Sequence, residues 1–348
     1  MPLIARQLGA LALLIAVLVL IDRSAASAQY TLTNNIVNPS DVRELFARDI
    51  REFGGVDAYA RLAFAMQGLE IEEQHEYAHT FGHELYAVEG EQGIGACDAR
   101  FAFGCFHQFL GEAIGDLGTT SVGRLYDACA TITGTRRVCQ HGIGHGVLSA
   151  IGYDEADLKG ALELCNSVTR ERTYAGCVGG AFMEYNLRII ASAEGIQGPR
   201  EFSGDMYAPC TSVSSLDQKT CTFWLPQWWL FFVLHNDRTH SADNPAYKSM
   251  KKLCEESPYP QSCYEGIGYI TPTAFAYDPG DIRNACDALG ERGSTYCRGM
   301  AALIVNLTKA IPGSTTEICD GLPEHPRDIC VQYAAHDNDF SFSVPPTS

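Results

Sequence analysis

Six of the ten histidines in the sequence fall between positions 75 and 145. His75, His79 and His83 recur at every fourth position in HEYAHTFGHELY. On an α-helix such residues share a face and succeed one another about 6 Å apart along the axis. His141 and His145 repeat the spacing in CQHGIGHG, and His107 in CFHQF is the sixth. Neutral imidazoles paired in this way, with a carboxylate nearby, suit Zn, Fe, Cu, Ni or Mn. The pattern therefore predicts one or two transition-metal ions (Fe, Cu or Zn) held by His79, His83, His107, His141 and His145. His75, Glu112 and Glu184 are the outer or alternative ligands. Histidine-rich sites with open coordination positions handle dioxygen or activate water, which favours an oxidase or oxygenase. A lone histidine is more often held by backbone carbonyls, and His235, His240, His325 and His336, which show no such pairing, read as structural.

Two other functions fit parts of the same pattern. HEYAH matches H-E-x-x-H, in which two histidines hold zinc and the glutamate activates water, giving a zinc peptidase that uses His75, Glu76 and His79. Gly82 stands where metzincins place a glycine, but their third ligand would fall at Leu85. Peptidases of this kind hold substrate against a strand, and the sequence has little strand pattern. On a continuous helix Glu76 also lies about 100° from His75, away from the face the histidines share. The remaining alternative is a non-catalytic scaffold whose concave face takes a protein or small-molecule partner.

The elements that must position these side chains are announced by the cysteines. All fourteen fall into close pairs, from Cys97 with Cys105 to Cys319 with Cys330, and first cysteines recur every 32 to 45 residues. That is the period of helical-hairpin repeats. Around the third pair a helical stretch, ADLKGALELC, runs into Cys165, a polar loop follows, and a second apolar stretch, CVGGAFMEYNLRII, leaves from Cys177. No pair has the C-x-x-C spacing of zinc sites, so each is expected to close its own hairpin as a disulfide. Glycines cluster after the second cysteine, as at Gly142, Gly144 and Gly146, and imply close helix approach. His107 and His141 each stand two residues after the second cysteine of their unit, and Glu112 and Glu184 each seven after. Stacked units would thus set the two histidines side by side.

This layout resembles the cysteine-rich, disulfide-stapled branch of tetratricopeptide-like helical repeat proteins over Cys97 to Cys330. The resemblance is architectural. The fold class expected is all-α: a solenoid-like array of disulfide-stapled helical hairpins with an N-terminal helical cap. Residues 29–90 form the cap, 91–336 the seven cysteine-paired repeats, and 337–348 a flexible tail.

The start of the chain sets the compartment. Arg6 precedes an apolar run from Leu8 to Ile21, and Ala26, Ser27 and Ala28 give the small-x-small pattern of a signal-peptidase site. Residues 1–28 read as a signal peptide, and the protein as secreted or periplasmic, with a retained N-terminal anchor as the alternative. Removing Arg6, Asp22 and Arg23 moves the net charge from -17 to about -18. An acidic surface of this size disfavours nucleic acid and anionic membranes. No later segment reads as a membrane span, and no phosphate loop, dinucleotide fingerprint or nucleophile elbow is present.

Overall fold

A computed structural model describes residues 39–132, 134–169, 173–193, 195, 198–234, 245–308 and 315–335. The expected signal peptide, His235, His240, His336 and the tail lie outside the described residues. Within them the chain is helical, with no strand. The helices are α1 Pro39–Phe53, α2 Gly55–Ala65, α3 Ile71–Glu89, α4 Gly104–Leu117, α5 Val122–Ala130, α6 Arg136–Ile151, α7 Glu155–Val168, α8 Cys177–Leu187, α9 Ile189–Ala193, α10 Gln218–Trp228, α11 Pro245–Glu256, α12 Pro260–Ala274, α13 Pro279–Asp287, α14 Gly290–Thr308, α15 Thr315–Cys319 and α16 Glu324–Ala335.

Local sequence explains where these helices start and what they bury. In α7 the Asp154 carboxylate accepts from the Asp157 amide at 2.8 Å, and the Asp157 carboxylate accepts from the Asp154 amide at 3.1 Å. Two of the helix's unpaired donors are thereby satisfied. Leu158, Ala161, Leu162 and Cys165 follow at three- and four-residue intervals and are buried. That stripe turns the helix toward its partner α8, across the Cys165–Cys177 disulfide.

Every cysteine pair forms its own disulfide, with Cα–Cα distances of 5.3 to 5.7 Å and no free thiol. Two of the stapled units lack a regular first helix. Cys97 follows a 3-10 turn, Gly90–Ala96, and Cys210 sits in turns between residues 201 and 217. Pro199 and Pro209 interrupt helical hydrogen bonding in the second case, and Gly204 lowers helix propensity between them. This segment is instead pinned by Arg200, whose guanidinium lies 3.7 Å from the Trp228 ring and donates to the Asn186 side chain and the Ala208 carbonyl.

The second helix of each unit packs on the next, in the order α3, α4, α6, α8, α10, α12, α14, α16. The first helices α5, α7, α11, α13 and α15 each cover their own partner. Between the stacked helices lies a cavity of about 480 Å³, walled by α3 at one end of the series and by Ile304 and Thr308 of α14 near the other.

Candidate metal centre

The neighbouring helices α3, α4 and α6 carry the histidines, and glycines let them approach closely. A methyl group on Gly82 would lie 2.5 Å from the Cys105 carbonyl oxygen, and one on Gly142 would lie 2.7 Å from that of Phe106. At such spacing, side chains on adjacent helices meet. His75 and His79 of α3 form one set with His107 of α4, and His107 forms a second set with His141 and His145 of α6. Within each set the ligand-competent atoms lie within 4.8 Å of one another. Such sets can hold a metal ion. The His107 ring centroid is 4.5 Å from that of His145 and 5.6 Å from that of His79.

Hydrogen bonds fix which ring nitrogens carry protons. His75 Nδ1 is 2.8 Å from the Phe101 carbonyl oxygen, which can only accept, so Nδ1 donates. The Gln108 amide is oriented by its Nε2, which donates to Glu112 at 2.8 Å, leaving Oε1 toward His79 Nδ1 at 3.3 Å. His79 Nδ1 therefore donates as well. In a neutral ring the other nitrogen is then a bare lone pair. The two Nε2 atoms of His75 and His79 lie 3.0 Å apart. Two lone pairs at that distance repel unless a cation sits between them. On His79 itself a proton is disfavoured, because burial, and after it the neighbouring His75, pushes its imidazole well below the ordinary range. A metal ion suits the geometry, since nitrogens each about 2.0 to 2.1 Å from one ion stand at roughly this separation.

The chain matches no known protein family, curated protein or solved structure.

The second set is built on the same plan and is more deeply enclosed. His145 Nδ1 donates to Glu184 at 2.7 Å, which leaves its buried Nε2 with no hydrogen-bond partner among the described residues. Glu184 also accepts from the Tyr153 hydroxyl at 2.7 Å and from the Ile190 amide at 3.1 Å. A carboxylate behind an imidazole fixes the ring and raises its basicity as a ligand. Burial pushes the Tyr153 phenol up, so it stays a donor. His107 and His141 are both held well below the ordinary histidine range, first by burial and then by His145. They stay neutral, as metal ligands must be.

The other expected site residues take outer positions. His83 is half-buried, with Nδ1 bonded to Glu112 at 2.6 Å and Nε2 against Arg43, and it belongs to neither histidine set. Its hydrogen bond holds the Glu112 carboxyl below the usual range. His83, Glu112 and Gln108 thus form a chain that ends on His79. Glu76 is exposed and lines the cavity together with His75 and His79. His325 lies at the far end of the array, at the start of α16.

Four contributors carried no signal in the sequence. Gln108 and Tyr153 are common residue types at unremarkable spacing. Met183 places its sulfur 3.4 Å from His141 Nε2, and Trp224 tilts over the same imidazole with centroids 4.9 Å apart. Counted from the second cysteine of each unit, however, His145, Met183, Gln227 and Tyr269 all stand at the sixth position. The last three line the cavity, as do Leu187, Phe231 and Thr273 at the tenth position. Apart from the histidines the wall is largely apolar, with Phe103, Leu187, Phe231 and Ile270.

Proposed function

We propose that this is an exported metalloprotein that holds a transition metal through His75, His79, His107, His141 and His145 and presents it to an apolar substrate cavity. His83, Glu112 and Glu184 support the ligands from behind. The stapled hairpins form a curled, solenoid-like array, capped at its N-terminus by α1 to α3, whose concave side is that cavity. Seven disulfides are those of a protein from an oxidising compartment. Among the described residues no helix is long and apolar enough to cross a membrane.

One observation carries the reading: the Nε2 atoms of His75 and His79 face each other at 3.0 Å while each ring gives its Nδ1 to an acceptor behind it. Met183 beside His141 adds a thioether, which soft metals accept, and this favours copper over iron and zinc. Neutral nitrogen ligands with an apolar space before them suit an oxidase or oxygenase acting on an apolar molecule, because such a space keeps water from reactive intermediates. Hydrolysis is the second reading, favoured by the place of Glu76 on the same cavity wall as His75 and His79.

The test is elemental analysis of the protein purified from its exported, oxidised form after a chelator wash. The wild type is expected to retain transition metal, and the double variant His75→Ala, His79→Ala to lose most of it. Glu76→Gln should leave metal content and activity unchanged. Loss of a measured peptide hydrolysis with metal retained would move the assignment to the zinc peptidase. A wild type that retains no metal would leave the interaction scaffold.

A further inference from the structure

We infer that His107 bridges two metal ions, one shared with His75 and His79 on the cavity side and the other with His141 and His145 on the closed side. The inference rests on the metal-binding reading above and adds the number of ions, their linkage and their unequal access.

The argument starts from what a buried imidazole needs. A neutral ring has one donor and one acceptor nitrogen, and buried polar atoms are almost always paired. His107 is fully buried, and both Nδ1 and Nε2 lack a hydrogen-bond partner among the described residues. Three of its neighbours on α3 and α6 spend one nitrogen on a donor bond. His75 gives Nδ1 to Phe101, His79 gives Nδ1 to Gln108, and His145 gives Nδ1 to Glu184. Each thereby keeps one nitrogen for a metal, in the usual arrangement of a ligand held from behind. His107 has no such acceptor behind it. Histidines stand on both sides, with ring centroids 5.8 Å away at His75 and 4.5 Å away at His145.

A single ion would engage one nitrogen of His107 and leave the other unpaired. Two ions engage both. His107 is also the one residue common to the two sets, while the α3 pair and the α6 pair do not join in a single set. Coordination through both nitrogens requires the ring to give up its one N–H proton, which leaves to solvent as the second ion binds. The two ions then differ in access. The first faces the cavity past His75 and His79, and the second is backed by Trp224 and the Glu184–Tyr153 pair, with Met183 between His141 and the cavity.

The experiment is titration of the metal-free protein with Cu(II), reading bound copper per chain by elemental analysis and the electron paramagnetic resonance signal at liquid-helium temperature. Two coppers per chain are expected, with a signal several-fold weaker than the copper content, because the bridging ring couples the two spins. In His107→Gln, which keeps a polar side chain of similar size, bound copper should give its full signal. His107→Ala, checked for intact disulfides, should behave alike. Two coppers with full, uncoupled intensity in the wild type would overturn the bridge and leave the metal-binding reading standing. So would one copper per chain. No retained copper, iron or zinc would overturn the bridge and the metal-binding reading together.

Discussion

Two buried polar clusters occupy the same place in the repeat and are finished differently. His107 and His141 stand two residues after the second cysteine of their units, and Glu265 stands two after Cys263. Glu265 and His107 are both fully buried. Around Glu265, one carboxylate oxygen accepts from Gln261 at 2.8 Å and from the Tyr333 hydroxyl, and the other accepts from the Tyr174 hydroxyl. Tyr174 also meets the Ser262 hydroxyl at 2.7 Å. That cluster is saturated, and it ties α12 to α16 and to the loop before α8. The histidine cluster leaves several nitrogens bare at equal depth. A closed polar network fastens a fold, whereas an open one at the same depth is a set of ligand atoms held ready.

Paired substitutions break this comparison most sharply. His107→Leu removes two unpaired polar atoms, so the metal-free protein should lose less than about 1 kcal/mol of stability or even gain some, while metal retention collapses. Glu265→Leu removes the acceptor shared by Tyr174, Tyr333 and Gln261 and should cost about 3 kcal/mol, with metal content unchanged. Chemical denaturation and elemental analysis of both variants read the two effects separately. Equal destabilisation by both changes would mean that the histidines are structural.

Next in size is the packing that sets the spacing. A methyl group on Gly180 would stand 1.9 Å from the His141 carbonyl oxygen. Gly180→Ala should push α8 away from α6, lower stability by about 2 kcal/mol and weaken metal binding by loosening the His145–Glu184 bond. Thermal melting with and without metal checks both parts. A variant with wild-type melting and loading would show that the close approach is not needed.

The smallest effect is a pH slope. Burial raises the Glu265 carboxyl above 4.5 against the opposing hydrogen bonds of Tyr174, Tyr333 and Gln261 and the charge of Lys219. A raised native value means that the folded protein holds this proton at pH values where the unfolded chain has released it. The stability it contributes is full below pH 4.5 and is lost as pH rises through the native value. Glu265→Gln, neutral throughout, should flatten denaturation midpoints measured from pH 4 to 7. An unchanged slope would show that Glu265 does not produce it.

The sequence displayed part of this plainly and concealed the rest for physical reasons. Short, even cysteine spacing predicted a disulfide within each pair, and all seven formed, although the units of Cys97 and Cys210 lack a regular first helix. The shared offset of His107 and His141 from their cysteines placed them side by side. The role of His83 was harder to see. Steps of four residues advance about 40° beyond a full turn, so by the third histidine the face has rotated by about 80°. His75 and His79 therefore meet His107, while His83 turns to Glu112 and Arg43. The meeting of Ile304 on α14 with the α3 histidines across one cavity depends on how all the intervening helices pack, which no local pattern encodes.

The most direct test of the centre is an anomalous-difference map from crystals of the metal-loaded protein, collected at the absorption edge of the bound element. Two peaks are predicted, one on each side of the His107 ring, the first within bonding distance of His75 and His79 and the second of His145. An empty histidine cluster in crystals whose metal sits elsewhere, or nowhere, would contradict the account.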